Sequence, residues 1–141
     1  MHIMRSIGQT ERAYGLYRSA KLEQYGLTGY QSLYLRTVCY HPGITQEEMA
    51  LKLVFNKSSV ARQLAALEKA GLILRKRCER DKRSIRVYPT EQGEALLPLI
   101  RETGREFFAA ISKDLTEEEK ELLDVLCEKL CQGAKEAIRQ K

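Results

Sequence analysis

A mainly helical fold carrying one small β-hairpin is what the sequence predicts, on three observations. Apolar residues recur at three- and four-residue spacing along most of the chain, between Thr or Asn caps and Gly stops. After Gly71 the period changes to the alternation of strands and then changes back. The 141 residues are 43% hydrophobic and 30% charged, ordinary globular material. That length suits one domain with a core, or one domain plus a modest oligomerisation element.

From about Gln9 to Tyr25 a helix runs through Ala13, Leu16, Tyr17, Ala20 and Leu22, and Gly26 ends it. Thr28 can cap a second helix with Tyr30, Leu33, Tyr34, Thr37 and Val38 on one face, broken by His41-Pro42-Gly43. Thr45-Gln46-Glu47-Glu48 has the form of a capping box, and it opens a short helix through Met49, Ala50, Leu53 and Val54. Asn56 caps the next helix, which runs to Ala70 and stops at Gly71. Residues 72–77 and 85–88 read as the strands of a hairpin around the charged loop 78–84. Thr90 can cap a long helix, with Gly93 and Pro98 near its start, continuing through Leu97, Ile100, Phe107, Phe108 and Ile111. A second capping box, Thr116 to Glu119, starts a last helix bearing Leu122, Leu123, Val125, Leu126, Leu130 and Ala134.

The net charge of +5 is unevenly spread. Residues 56–90 hold ten basic and three acidic side chains, whereas residues 91–141 hold eight basic and twelve acidic ones. A concentrated basic stretch suits a phosphate backbone, although a solvated basic surface without a partner would look the same.

On a wheel of the helix 57–70, Val60, Leu64 and Leu67 form an apolar stripe that must face a core. Ser58, Ser59, Arg62, Ala65, Ala66 and Lys69 lie opposite, a small, polar and basic face without a carboxylate. Small side chains let a helix enter the roughly 12 Å wide major groove, where an arginine can bind guanine bidentately. An ordinary surface helix shares this wheel. The neighbours are more specific: a short capped helix precedes it across Val54-Phe55-Asn56, and a basic hairpin follows. The candidate DNA-binding residues of this recognition helix are Lys57, Ser58, Ser59, Arg62, Gln63 and Lys69. Thr45 and Gln46 are candidate phosphate ligands from the preceding helix, and Arg75, Arg77, Arg80, Asp81, Lys82 and Arg83 are candidates on the hairpin. Arginines there suit a narrow minor groove. Asp81 would repel phosphate, so it reads either as an orienting partner of Arg83 or Arg75, or as a plain turn residue.

The run Ala65-Ala66-Leu67-Glu68-Lys69-Ala70-Gly71-Leu72-Ile73, followed by Asp81-Lys82-Arg83 and then Thr90, resembles the winged helix-turn-helix of MarR-type regulators. The resemblance is carried by residues 45–90, and the helix order extends it along the chain. Pro89 stands where the family pattern has Leu. The resemblance implies a winged helix-turn-helix core (28–90) flanked by helical dimerisation segments (1–27 and 91–141). It implies a sequence-specific regulator of double-stranded DNA, a repressor acting as a homodimer on a palindromic operator and released by a small aromatic or amphipathic effector. The outer helices carry more Leu, Ile, Phe and Tyr than a winged module of about 45 residues can cover, which agrees with a dimer unless they pack within one chain. Tyr14, Tyr17, Tyr30 and Tyr34 are the candidate effector-pocket residues, with core packing as their alternative.

Other classes find little support. No apolar run approaches the roughly 18 residues of a membrane span, and the N-terminal segment has no signal-peptide pattern, so a cytoplasmic protein is expected. The four cysteines, Cys39, Cys78, Cys127 and Cys131, are expected as thiols. Cys127 and Cys131 share a helix face and read as buried small hydrophobes, with a redox or metal pair as the alternative. Cys78, beside Arg77 and Arg80, is the candidate for a redox-sensing alternative. The peroxide-sensing members of the family use a cysteine near the N-terminus, and no cysteine precedes Cys39 here. Two histidines, no Gly-rich phosphate loop and no nucleophile–base pair argue against an enzyme, a metal site or a cofactor. A winged-helix protein-interaction module would expose an apolar recognition helix, which this sequence does not offer.

Overall fold

The structure is a computed structural model that describes residues 2–139. It divides into two units, Met1–Phe107 and Phe108–Lys141.

The first unit opens with α1 (Ile3–Leu22), extended by a 3-10 turn over Glu23–Tyr25 and stopped by Gly26 at φ 80°. Its start lies six residues before the expected one. His2 precedes it without a side-chain cap, so no local signal marks that end. The second helix, α2 (Gln31–Tyr40), begins later than expected, because Thr28 bonds the Gln31 side chain instead of capping the helix. It buries Tyr34, Leu35 and Val38, whereas Tyr30 is exposed. Next come β1 (Ile44–Thr45), α3 (Gln46–Leu53) and α4 (Lys57–Lys69). The caps form, though the box at Thr45 closes only by its first half: Thr45 Oγ1 accepts from Glu48 N at 3.0 Å, and Asn56 Oδ1 accepts from Ser59 N at 2.7 Å. Each satisfies a backbone donor that the helix start leaves free. Between α3 and α4, Val54 sits at φ 59°. That left-handed conformation costs a β-branched residue about 1–2 kcal/mol, offset by a turn short enough to hold the two helices together.

The strands β2 (Ile73–Arg77) and β3 (Ile85–Pro89) form the expected hairpin. The sheet has a third strand, in the order β1-β3-β2, because Ile44 and Thr45 pair antiparallel with Val87 and Arg86. Two residues are too short to reveal a strand by periodicity. The expected single helix after Thr90 is two helices, α5 (Glu91–Ala95) and α6 (Leu97–Ile111). Pro98 has no N–H for the carbonyl of Glu94, which breaks the ladder between them. Thr90 caps α5 through Gly93 N and also donates to the carbonyl of Gly71. A Cβ on Gly93 would lie 2.1 Å from the Leu72 carbonyl oxygen, so only glycine lets α5 approach the root of the hairpin this closely. The core gathers Leu22, Leu35, Val38, Met49, Val60, Leu64, Leu67, Ile73 and Val87, each at most 1% exposed. Helix α4 contributes its predicted stripe of Val60, Leu64 and Leu67.

In the second unit Thr116 and Glu119 form a reciprocal capping box: Glu119 N donates to Thr116 Oγ1, and Thr116 N donates to Glu119 Oε2. It starts α7 (Glu117–Arg139), none of whose described residues is buried. Among the described residues, no helix is long and apolar enough to cross a membrane.

Candidate nucleic-acid interface

Two basic residues from different elements, Lys57 and Arg83, come together at the start of α4. A cleft of about 310 Å3 is lined by Gln46 and Glu47 of α3, Lys57, Ser58 and Ala61 of α4, and Arg83 and Ile85 from the hairpin. The cleft opens at the N-terminus of α4, where backbone N–H groups carry partial positive charge. Asn56 fixes this end, since its Oδ1 also accepts from Ser58 Oγ at 2.9 Å. Lys57 Nζ lies 3.8 Å from Glu47 Oε1, an exposed pair too weakly held to withhold the lysine from a phosphate. Along α4, Arg62 and Lys69 are exposed, whereas Ser59 and Gln63 are half-buried. Arg62 donates to Ser59 Oγ at 3.4 Å. The Tyr34 hydroxyl has its pKa raised by burial, an effect the nearby positive charge of Arg62 opposes.

The hairpin tip is held by its own backbone. Asp81 Oδ1 accepts from Arg83 N at 3.0 Å, Ser84 N donates to the Asp81 carbonyl, and Arg77 Nη1 donates to the Lys82 carbonyl. Asp81 thus orients Arg83 through its amide, not its guanidinium, because the turn aims that N–H at the carboxylate. Arg80, Lys82 and Arg83 are exposed. Arg75 does not line the cleft and is occupied: Glu68 Oε1 accepts from its Nε and Nη2, and Glu68 Oε2 accepts from its backbone N. These bonds, the backbone one first, hold the Glu68 carboxyl below its usual pKa. Thr45 is buried and committed to its cap, whereas Gln46 accepts from Arg75 Nη1 at 3.4 Å and lines the cleft.

Glu68 and Arg86 escaped the sequence reading. Glu68 bonds across the Gly71 turn, seven residues from Arg75, where no periodic signal exists. Arg86 donates to the Gly43 carbonyl at 2.8 Å. Cys78 is half-buried at the base of the tip. Its thiol pKa is lowered, chiefly by backbone bonds from Asp81 and Arg80, then by Arg86.

The four tyrosines form two groups. Tyr14 and Tyr17 pack on Phe107 with ring centroids 4.8 and 5.3 Å apart, and Tyr30 and Tyr34 pack on Phe55. The Arg18 guanidinium lies between the groups, 4.2 Å from the Tyr14 ring and 5.3 Å from that of Tyr30. It is 6% exposed and pairs with Glu11, while its Nε has no hydrogen-bond partner in the protein. Tyr34, at 1% exposure, is part of the core.

Comparison with known proteins agrees with this geometry. The MarR family model matches residues 19–85. An HTH-type transcriptional regulator of Bacillus subtilis (strain 168), YybA, itself uncharacterised, is 32% identical over 124 residues, 88% of this chain and 83% of its own length. Among solved structures, a MarR protein from Peptoclostridium difficile superposes with a TM-score of 0.95 at 26% identity, covering 100% of this chain and 93% of its own. A MarR family chain from Listeria monocytogenes, complexed with 26mer DNA, superposes at 0.90 with 29% identity, covering 95% of this chain and 89% of its own.

Proposed function

The chain belongs to the MarR family of transcriptional regulators, and from that premise we propose that it is a homodimeric repressor of a palindromic operator in duplex DNA. The observation that carries this reading is the shared cleft: Arg83 of the wing lines it together with Lys57 and Ser58 of the recognition helix. One duplex can therefore meet both in a single docking. The likeness to a relative complexed with DNA supports the same reading. In it α4 enters the major groove, Arg62 reads a base edge, and Arg80, Lys82 and Arg83 reach the neighbouring backbone or minor groove. Two subunits related by a two-fold axis would present recognition helices about 34 Å apart, one turn of DNA. The dimer is supported by the uncovered apolar residues of α7, namely Leu122, Leu123, Val125, Leu126 and Leu130, each at least 39% exposed. Residues 1–27 and 91–141 are its dimerisation segments, and 28–90 the DNA-binding part.

The effector reading rests on Arg18. A small aromatic or amphipathic molecule bearing an acidic oxygen would reach its buried, unpartnered Nε only by parting the rings of Tyr14 and Tyr30 that flank it.

A band-shift assay on the DNA upstream of the chain's own gene tests the central reading. Arg83→Ala should weaken binding to all sequences alike. Arg62→Ala should relax discrimination at one base pair by about 1–3 kcal/mol. Equal, small effects of both would overturn the role assignments.

A further inference from the structure

We propose that Arg75 is a positioning residue for DNA recognition: through Glu68 and Gln46 it holds the recognition helix, the wing and α3 at one angle, without itself touching phosphate. This rests on the DNA-binding reading above and refines it, since Arg75 carries the sequence signature of a phosphate-binding wing residue.

The covalent link between α4 and the wing is the turn at Gly71, at φ 78°, which Thr90 holds by donating to the Gly71 carbonyl at the root of the strand. A single corner does not set the angle of a five-residue strand. The Arg75 side chain closes the triangle. Glu68, in the last turn of α4, takes the Arg75 backbone N at 2.9 Å on one oxygen, and takes Nε at 3.3 Å and Nη2 at 3.1 Å on the other. Nη1 reaches Gln46 at 3.4 Å, the first residue of α3, next to Thr45 of β1. One side chain thereby ties α3, α4 and β2. A planar guanidinium with donors fixed along two edges can do this, and an ammonium cannot.

The distribution of charge points the same way. Glu68 lies at ion-pairing distance and neutralises Arg75, whose side chain is 25% exposed. Among the described residues, no carboxylate lies within ion-pairing distance of Arg80, Lys82 or Arg83. Those cations are free to displace the counterions of DNA, whereas Arg75 is already satisfied.

The test measures operator affinity from 50 to 200 mM salt for the wild-type chain, Arg75→Gln, Glu68→Gln, the double variant, and Lys82→Ala as a phosphate-binding reference. The expected result is a roughly tenfold loss for Arg75→Gln and for Glu68→Gln. The double variant loses no more than either single one, as for two residues in one hydrogen-bond network. Both single variants keep the wild-type slope of log K against log salt, whereas Lys82→Ala flattens it by about 0.9 per phosphate that is no longer neutralised. The proposal is overturned if Glu68→Gln tightens binding while Arg75→Gln flattens the slope, because a freed Arg75 would then be a phosphate ligand. Additive losses would also overturn it. Should the Arg75 variant fold poorly, Gln46→Ala removes one bond only; a smaller loss at unchanged slope supports the proposal, and a flattened slope opposes it. A wild-type chain that binds no duplex at 50 mM salt would instead refute the DNA-binding reading, and this one with it.

Discussion

Helices α4 and α7 both carry apolar residues at three- and four-residue spacing, yet they treat them differently. Helix α4 buries Val60, Leu64 and Leu67 at no more than 1% exposure and turns a small, basic face outward. Helix α7 is ten residues longer and, among its described residues, buries none; Leu122, Val125 and Leu130 are about half exposed. The difference separates two meanings of one pattern. In α4 the stripe serves the fold and the polar face is left for a ligand. In α7 the acidic residues Glu117, Glu118 and Glu119 favour the helix start, and the apolar stripe is what remains to be covered.

Substitutions in the two stripes should therefore fail in different ways. The largest effect is expected from Leu126→Asp in α7. A charge placed in a closed dimer interface costs about 3–5 kcal/mol, so sedimentation should find monomers at concentrations where the unaltered chain is dimeric. An unchanged dimer would remove α7 from the interface. Next is Leu64→Ala in α4, at 0% exposure. It should cost about 2–5 kcal/mol of folding stability in denaturant titration, as cavities in packed cores do. Its penalty should not vary with protein concentration once the chain is dimeric. A smaller effect concerns Glu68. Its carboxyl has a pKa below the ordinary value of 4.5 in the folded chain, so the stability it confers is present above about pH 4.5 and is lost as the pH falls through its folded pKa. The side chain is 36% exposed, so solvent screening limits the contribution to under about 1 kcal/mol. Wild type and Glu68→Gln should differ by a constant amount near neutrality and converge in acid. A gap that widens in acid would mean the sign is wrong.

The sequence made the helical frame legible where chemistry is local. Thr45, Asn56 and Thr116 cap the helices they were expected to cap, and the stripe of α4 faces the core. It was silent where partners are distant in the chain. Strand β1 exists only because Val87 and Arg86 lie opposite Ile44 and Thr45. Arg75 reads as a free wing cation until Glu68 and Gln46 are seen around it. The beginning of α1 lacks a cap, and Pro98 divides a segment whose apolar spacing is continuous. For the candidate interface, the sequence supplied the cations and their order, and the fold brought Arg83 to the cleft beside Lys57 and Ser58.

The most direct measurement is the stoichiometry and salt dependence of the complex with duplex DNA, followed by sedimentation on the promoter fragment that the chain retains best. Two chains per duplex are predicted, with affinity falling about a thousandfold or more between 50 and 200 mM salt, as for six or more neutralised phosphates. One chain per duplex, or an affinity indifferent to salt, would contradict a paired helix-and-wing grip on the DNA.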